Sequence, residues 1–403
     1  MKKPVPNPEL YLFAPGPHAV EESLLEILSD PVMGHRDAPF VESLKNLVSG
    51  LTELLGIEGH AKPFITTGHA TDMFSNVAQL LTQETREIDR NNYHRYVGTV
   101  LLVNSDPFSN KTKKELERVG VIVHEIKVEY GKVVDLEELA RETQKLKPEV
   151  VYLTGSNTAS GSYQLRDGTR IREAIGSEPL LVVDEVSQMA GVHIPREKLG
   201  IDFAFAGTQK AWMLPPGLVV GYATDRALER ARTSIGPKIH NLYDLVKNCA
   251  EGKPDATDNT SFIRALEQRV YDMLQAGGAD AINDRNIELN AKYDEFLQRL
   301  TPYGIMSFPT REDASPTVGC FTYNTTRTDM KKVAAEMKSD ATLVEGYKGV
   351  KIDTGYRDVN EHLQAKGLGS VRIPIFGQEP VIFETILNKM EKLIKKYTKP
   401  LAQ

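Results

Sequence analysis

The chain has 403 residues, more than one domain usually holds, so two domains are expected. It is 40% hydrophobic and 26% charged with a formal charge of −6, which suits a globular protein and gives no electrostatic case for nucleic acid or an anionic membrane. No apolar run approaches the roughly 20 residues of a membrane helix. The N-terminus, MKKPVPNPELYLF, lacks the apolar stretch of a secretory signal. Cys249 and Cys320 cannot make a disulfide framework, and nine scattered histidines show no metal-ligand spacing. A cytoplasmic protein without a metal is expected.

Residues 1 to 18 read as an N-terminal arm, Pro-rich and ending in the rigid turn Phe13-Ala14-Pro15-Gly16-Pro17. A short helix, Glu21 to Leu28, leads to Gly34-His35-Arg36. There the basic pair is either a surface charge or an anion contact. Apolar residues at helical spacing (Phe40, Leu44, Leu47, Val48, Leu51, Leu55) predict a helix over Ala38 to Leu55. The stretch KPFITTGHATDMFSN, Lys62 to Asn76, reads as strand, turn and helix. Free N–H groups at such a helix start suit an anion, Gly68 allows close backbone approach, and Thr67 and His69 add donors.

Tyr96 to Asn104 predicts a buried strand. Phe108 just beyond it is either core or a flat surface for a planar ring. Helices are expected over Lys111 to Val119, Leu136 to Leu146 and Asp167 to Ile175, and strands over Val121 to Val128 and Pro148 to Thr154. The last of these ends in the small polar run Gly155-Ser156-Asn157-Thr158-Ala159-Ser160-Gly161. After the lysine region described next come a helix Asp225 to Ala231 and the segment Thr257 to Thr260. Asn259 and Thr260 there read at least as a cap for a helix over Ser261 to Ala276.

Beyond about Gly278 the pattern becomes α+β. Helices are expected over Ala279 to Arg299, Lys331 to Ser339 and Pro380 to Tyr397. Strands are expected over Ile305 to Phe308, Val318 to Tyr323 and Val371 to Ile375. A division into a large domain, 19–278, and a small one, 279–403, follows. Arg372 stands alone in an apolar strand and needs a partner, either a ligand carboxylate or a structural acid.

Two stretches carry the chemistry. Leu180 to Val183 runs straight into Asp184, as a buried parallel strand does at its carboxyl end, where ligands of α/β sheets gather. Phe203 to Ala206 stops at Gly207-Thr208-Gln209-Lys210, followed by Pro215-Pro216-Gly217 and a second β-branched run, Leu218 to Tyr222. Burial lowers a lysine's pKa, and a neutral amine forms a Schiff base with a carbonyl. A strand-end carboxylate followed by such a lysine is the pair that pyridoxal phosphate needs. The lysine carries the aldehyde, and the acid keeps the pyridine nitrogen protonated. Singly, Asp184 is equally a helix cap or metal ligand, and Lys210 a surface lysine.

The run AGTQKAWMLPPG, residues 206 to 217, resembles the lysine loop of class V aminotransferases, within the type I fold of pyridoxal phosphate enzymes. The likeness is greatest to the alanine–glyoxylate and serine–pyruvate branch and less to phosphoserine aminotransferase. It extends from about Phe13 to about Gly377 through motifs in the family's order: Pro15-Gly16-Pro17, Gly34-His35-Arg36, Thr67-Gly68-His69, Asp184 and Lys210. The resemblance implies an α/β large domain with a mostly parallel seven-stranded sheet, a small α+β domain, and a homodimer with active sites at the interface. It further implies that Thr67, Gly68, His69 and Gln209 meet the cofactor, that Phe108 and Val186 flank its ring, and that Thr158 lies near its 3′ oxygen. Asn259 and Thr260 would reach the partner's cofactor phosphate. Arg372 would hold the substrate α-carboxylate, with His35, Arg36 and Gly16 near the substrate.

The expected reaction is amino transfer from a small alanine- or serine-like amino acid to a glyoxylate- or pyruvate-like 2-oxo acid, in ping-pong order. The alternatives are a phosphorylated donor and β-elimination on the same fold. Against the first, Thr71 stands where the phosphoserine branch has arginine. The segment Gly346 to Lys366 departs from the family just before Arg372 and is placed to shape the substrate pocket.

Overall fold

The computed structural model describes residues 9–88, 91–234, 241–254 and 256–399. Its centre is a seven-stranded sheet. In chain order the strands are β1 (Ala61–Thr67), β2 (Thr99–Asn104), β3 (Ile122–Lys127), β4 (Val150–Thr154), β5 (Leu180–Asp184), β6 (Phe203–Gly207) and β7 (Leu218–Thr224). Across the sheet they run β1-β7-β6-β5-β4-β2-β3, and only β7 is antiparallel to its neighbours. Every residue of β4, β5, β6 and β7 is buried, which explains runs without polar alternation. The register sets Thr154 beside Asp184 and Asp184 beside Phe205, so the strand ends that carry the chemistry come out at one edge.

The hydrophobic side chains gather in two large cores and a small cluster of Ala159, Val359 and Leu363. The larger surrounds the sheet and takes in the inner faces of helices Ala38–Leu55 and Thr260–Gln275. The smaller is built from helices Gly278–Leu300, Met330–Lys338 and Pro380–Tyr397 on a three-stranded antiparallel sheet. Strand Val318–Asn324 is its middle strand, with Met306–Ser307 on one side and Leu368–Pro374 on the other, and Cys320 pairs with Arg372. The arm joins this smaller core: Leu10–Phe13 pairs in parallel with Gly349–Ile352 and buries Tyr11 and Phe13. Among the described residues no helix is long and apolar enough to cross a membrane.

The structure differs from the sequence expectation in several places. The strand expected over Tyr96 to Asn104 is two, since Gly98 sits against the Glu149 carboxylate, which accepts the Thr82 N–H at 2.7 Å. Tyr96 instead ends a hairpin of Gln83–Ile88 and Asn91–Tyr96, whose polar sequence carries no apolar alternation. The helix expected from Lys111 begins at Pro107, capped by Asp106, so Phe108 stands in its first turn rather than in a loop. Within residues 346–366 lie the strand Gly349–Ile352 and the helix Arg357–Gln364.

Candidate active site

At the carboxyl edge of β4, β5 and β6 lies a cavity of about 390 Å³, in the size range of small-ligand pockets. Asp184 closes β5, Lys210 follows β6, and Thr154 closes β4. Phe108 comes from the helix after β2, His69 and Thr71 from the turn after β1, and Gly16 from the N-terminal segment. Of the residues singled out from sequence, Gly16, His69, Phe108, Thr158, Asp184, Val186, Gln209 and Lys210 all line this one cavity.

Lys210 is almost fully buried, and its Nζ donates to the Pro15 carbonyl oxygen. Burial, and then the Arg372 charge, push its pKa down to about 7, against the pull of Asp184, Asp353 and Asp106. Asp184 is 4% exposed, and its Oδ1 accepts the Val186 N–H at 2.9 Å. Burial raises its pKa to about 7, helped by the Asp106 carboxylate and opposed by the Val186 N–H and by Lys210. An amine and an acid whose ordinary values differ widely are thus both poised near neutrality, a pattern typical of reactive sites.

The turn after β1 spends much of its hydrogen bonding within the chain. Gly68 N–H donates to the Gly217 carbonyl, His69 N–H to Asp72 Oδ2 at 2.7 Å, and Thr67 N–H to Asp258 Oδ1 at 3.4 Å. His69, Ala70 and Thr71 line the cavity, whereas Thr67 and Gly68 are not among its lining residues. Asn259 caps helix Thr260–Gln275, and its N–H donates to Thr67 Oγ1 of the same chain at 3.3 Å; the Thr260 hydroxyl donates to the Met33 carbonyl. His35 and Arg36 line a different depression, with Lys253 and Thr257.

Arg372 lies beside the cavity, with its guanidinium engaged. Nε donates to Asp353 Oδ1 at 3.1 Å, Nη2 to Asp353 Oδ2 at 2.7 Å, and Nη1 to the Thr158 carbonyl at 3.0 Å. Tyr356 packs its ring 5.3 Å from Arg372 Cζ and 5.4 Å from the Phe108 ring. Asp353 and Tyr356, both from residues 346–366, were not singled out from sequence. The only signal was that the segment departs from the family pattern just before Arg372.

Three further groups were also missed. His18 is buried behind the lysine, pushed down to about 3 by burial and by the Lys210 charge, with its Nε2 unpaired among the described residues. Asp106 is buried and raised to about 6 by burial, with Oδ2 likewise unpaired. The buried Thr154 hydroxyl on the cavity wall also has no partner among the described residues. A His after a Pro and an Asp before a Pro give no sequence signal of such burial.

These residues fit pyridoxal phosphate. Lys210 is a buried amine of lowered basicity on the cavity lining, Asp184 a buried carboxyl on the same lining, and Phe108 and Val186 add apolar surface that suits a flat ring.

The Aminotransferase class-V family profile matches residues 90–375. The chain is 24% identical over 282 residues to the "Soluble hydrogenase, small subunit" of Synechococcus sp. (strain PCC 6716), covering 69% of this chain and 70% of that one. It is 28% identical over 209 residues to the (S)-ureidoglycine–glyoxylate transaminase of Bacillus subtilis (strain 168), covering 51% of this chain and 46% of the relative. The fold superposes on the crystal structure of ureidoglycine–glyoxylate aminotransferase from Bacillus subtilis with a TM-score of 0.78 at 21% identity, over 98% of this chain and 95% of that one. The profile match spans well over half the sequence, and the fold and the lysine–aspartate pair agree with it: the chain belongs to the class V aminotransferases and is a pyridoxal phosphate-dependent enzyme of the type I fold.

Proposed function

We propose that this aminotransferase moves an amino group from a small alanine- or serine-like amino acid to a glyoxylate- or pyruvate-like 2-oxo acid, in two half-reactions that share one site. The carrying observation is the Lys210–Asp184 pair at opposed, shifted pKa values within a cavity of about 390 Å³. When bound, the cofactor supplies an electron sink for the substrate's Cα–H bond electrons. Lys210 would hold the cofactor aldehyde, and its Nζ would accept and return the Cα proton, a task suited to an amine titrating near neutrality. Asp184 keeps a positive ring nitrogen paired inside a buried site. Phe108 and Val186 would flank the ring, and Thr158 and Gln209 would offer hydrogen bonds to it. Arg372 receives the substrate carboxylate.

Glyoxylate as acceptor is supported by the name of the Bacillus subtilis relative, and the small donor by the resemblance of the lysine loop. Thr71 on the cavity wall is neutral, which disfavours a phosphorylated donor. We also propose a homodimer. Val32 is 85% exposed and Leu25 48%, close in sequence to His35 and Arg36. These exposed apolar residues suit contact with a second copy, across which Asn259 and Thr260 would reach the partner's cofactor phosphate. The division into an arm, 1–18, a large domain, 19–278, and a small one, 279–403, belongs to the same reading.

The test is a spectrum of the cofactor-loaded protein. One equivalent of alanine or serine should bleach the absorbance near the visible edge, and glyoxylate or pyruvate should restore it. Ammonia release with an unchanged spectrum would replace amino transfer with elimination.

A further inference from the structure

We propose that Asp353 is a positioning residue for Arg372. It takes one edge of the guanidinium permanently and leaves the remaining N–H groups, already aimed, for a ligand carboxylate. The inference rests on the reading that Arg372 binds the substrate carboxylate.

A guanidinium has five N–H bonds. In Arg372 Asp353 takes two, on Nε and Nη2, and the Thr158 carbonyl takes one on Nη1. One hydrogen then remains on each of Nη1 and Nη2, and each can meet an oxygen of a ligand carboxylate. Thr158 itself lines the cavity, so this end of the group adjoins the space a substrate would fill.

Asp353 is not a loose placeholder. Its Oδ1 also accepts the Gly355 N–H at 2.9 Å, and its carbonyl accepts the Arg372 N–H at 3.1 Å in an isolated β-bridge. Acid and base are therefore tied by backbone as well as side chain. A mobile competitor, displaced whenever substrate entered, would not be anchored in this way. Tyr356 covers one face of the guanidinium and is braced by Phe108 and by Lys111 Nζ, which donates to its hydroxyl at 3.4 Å.

An unpaired arginine loses rotamer entropy when it grips a ligand. Here that ordering is complete before the ligand arrives, which is preorganisation. The ion pair also carries no net charge, so recognition comes from two directed hydrogen bonds rather than from long-range attraction. The segment carrying Asp353 and Tyr356 thus sets specificity for a carboxylate without touching the reacting carbon.

The experiment compares Asp353→Ala and Asp353→Asn with wild type, all loaded with cofactor. Steady-state kinetics with the best amino donor are read beside calorimetric binding of 2-methylalanine and of isopropylamine, which differ only by the carboxylate. Asp353→Ala should raise KM and weaken 2-methylalanine binding by about tenfold or more. Its kcat should stay within about threefold and its isopropylamine binding unchanged. Asp353→Asn should recover part of the loss, because its amide oxygen still accepts the Nε–H. Equal or tighter 2-methylalanine binding by both variants would overturn the proposal and make Asp353 a competitor. If wild type turns over amino acids yet binds the two probes alike, Arg372 is not the carboxylate site and the role given to Asp353 falls with it. If wild type turns over no amino acid yet Asp353→Ala loses 2-methylalanine selectively, the activity reading fails while the positioning role stands.

Discussion

Gly16 stands directly against Lys210. A β-carbon at residue 16 would lie 2.7 Å from Lys210 Cδ and 2.6 Å from the Gln209 carbonyl oxygen, and the Gly16 φ is +78°. The turn between Pro15 and Pro17 is therefore a wall shaped to the lysine stem, and the Pro15 carbonyl holds its Nζ. Gly16→Ala should cost roughly 1–2 kcal/mol for the left-handed backbone alone. The larger effect should fall on activity, since the methyl group must push the lysine aside. A fall in kcat of about tenfold or more is expected, with a small change in melting temperature. Loss of stability with kcat intact would mean that the turn yields instead of the lysine.

Sequence was a good guide wherever a local pattern carried the signal. The unbroken apolar runs of β4 to β6 marked the sheet, and their polar ends marked its active edge, so Asp184 and Lys210 fell in one cavity as expected. The partners that tune those residues were not legible. Asp353 meets Arg372 across a β-bridge, and His18 reaches Lys210 only through the fold. Such pairs depend on how two cores close on each other, which no local periodicity records. The polar hairpin Gln83–Ile88 and Asn91–Tyr96 was lost for a related reason: without an apolar face it has no alternation to read.

Lys210 makes a pH-dependent mark on cofactor-free stability. Unfolded, it holds its proton up to about 10.5; folded, it gives it up near 7. Between those values the unfolded chain binds more protons, so this residue makes wild type more stable as pH rises from 7 toward 10.5. Lys210→Met has no such term and should also abolish turnover. Denaturant melts of both cofactor-free proteins at pH 7 and pH 10 should show the wild type gaining on the variant, by on the order of a few kcal/mol. A constant difference across that range would mean that the lysine keeps an ordinary pKa.

Asp184 should behave with the opposite sign. Its carboxyl is raised from 3.8 to about 7, so between those values the folded chain holds the extra proton. That contribution to stability is lost as pH climbs through 7. Asp184→Asn escapes it and should be more stable than wild type, without cofactor, at pH 8 than at pH 4 by comparison. Activity should move the other way. An amide cannot pair with a charged ring nitrogen, and a drop in kcat of about 10²-fold or more is expected. Asp184→Asn at near-wild-type kcat would remove the acid from the mechanism.

The residue after Asp184 faces a different task. Glu185 is fully buried, with Oε2 2.7 Å from Arg196 Nη2 and Oε1 accepting the Tyr222 hydroxyl at 2.6 Å. Arg196 also donates to the Leu55 carbonyl at 2.8 Å, so the pair ties the end of β5 to the helix Ala38–Leu55. Truncating one member strands the other charge in the core, which typically costs about 3–5 kcal/mol, whereas replacing both with apolar groups is often near neutral. Arg196→Met should therefore unfold at markedly lower denaturant, and Arg196→Met with Glu185→Leu should regain most of the loss. Because neither residue lines the cavity, the folded fraction of each variant should keep the wild-type cofactor spectrum. Additive losses in the double variant would show that the two charges do not depend on each other, and that β5 is held in place by packing alone.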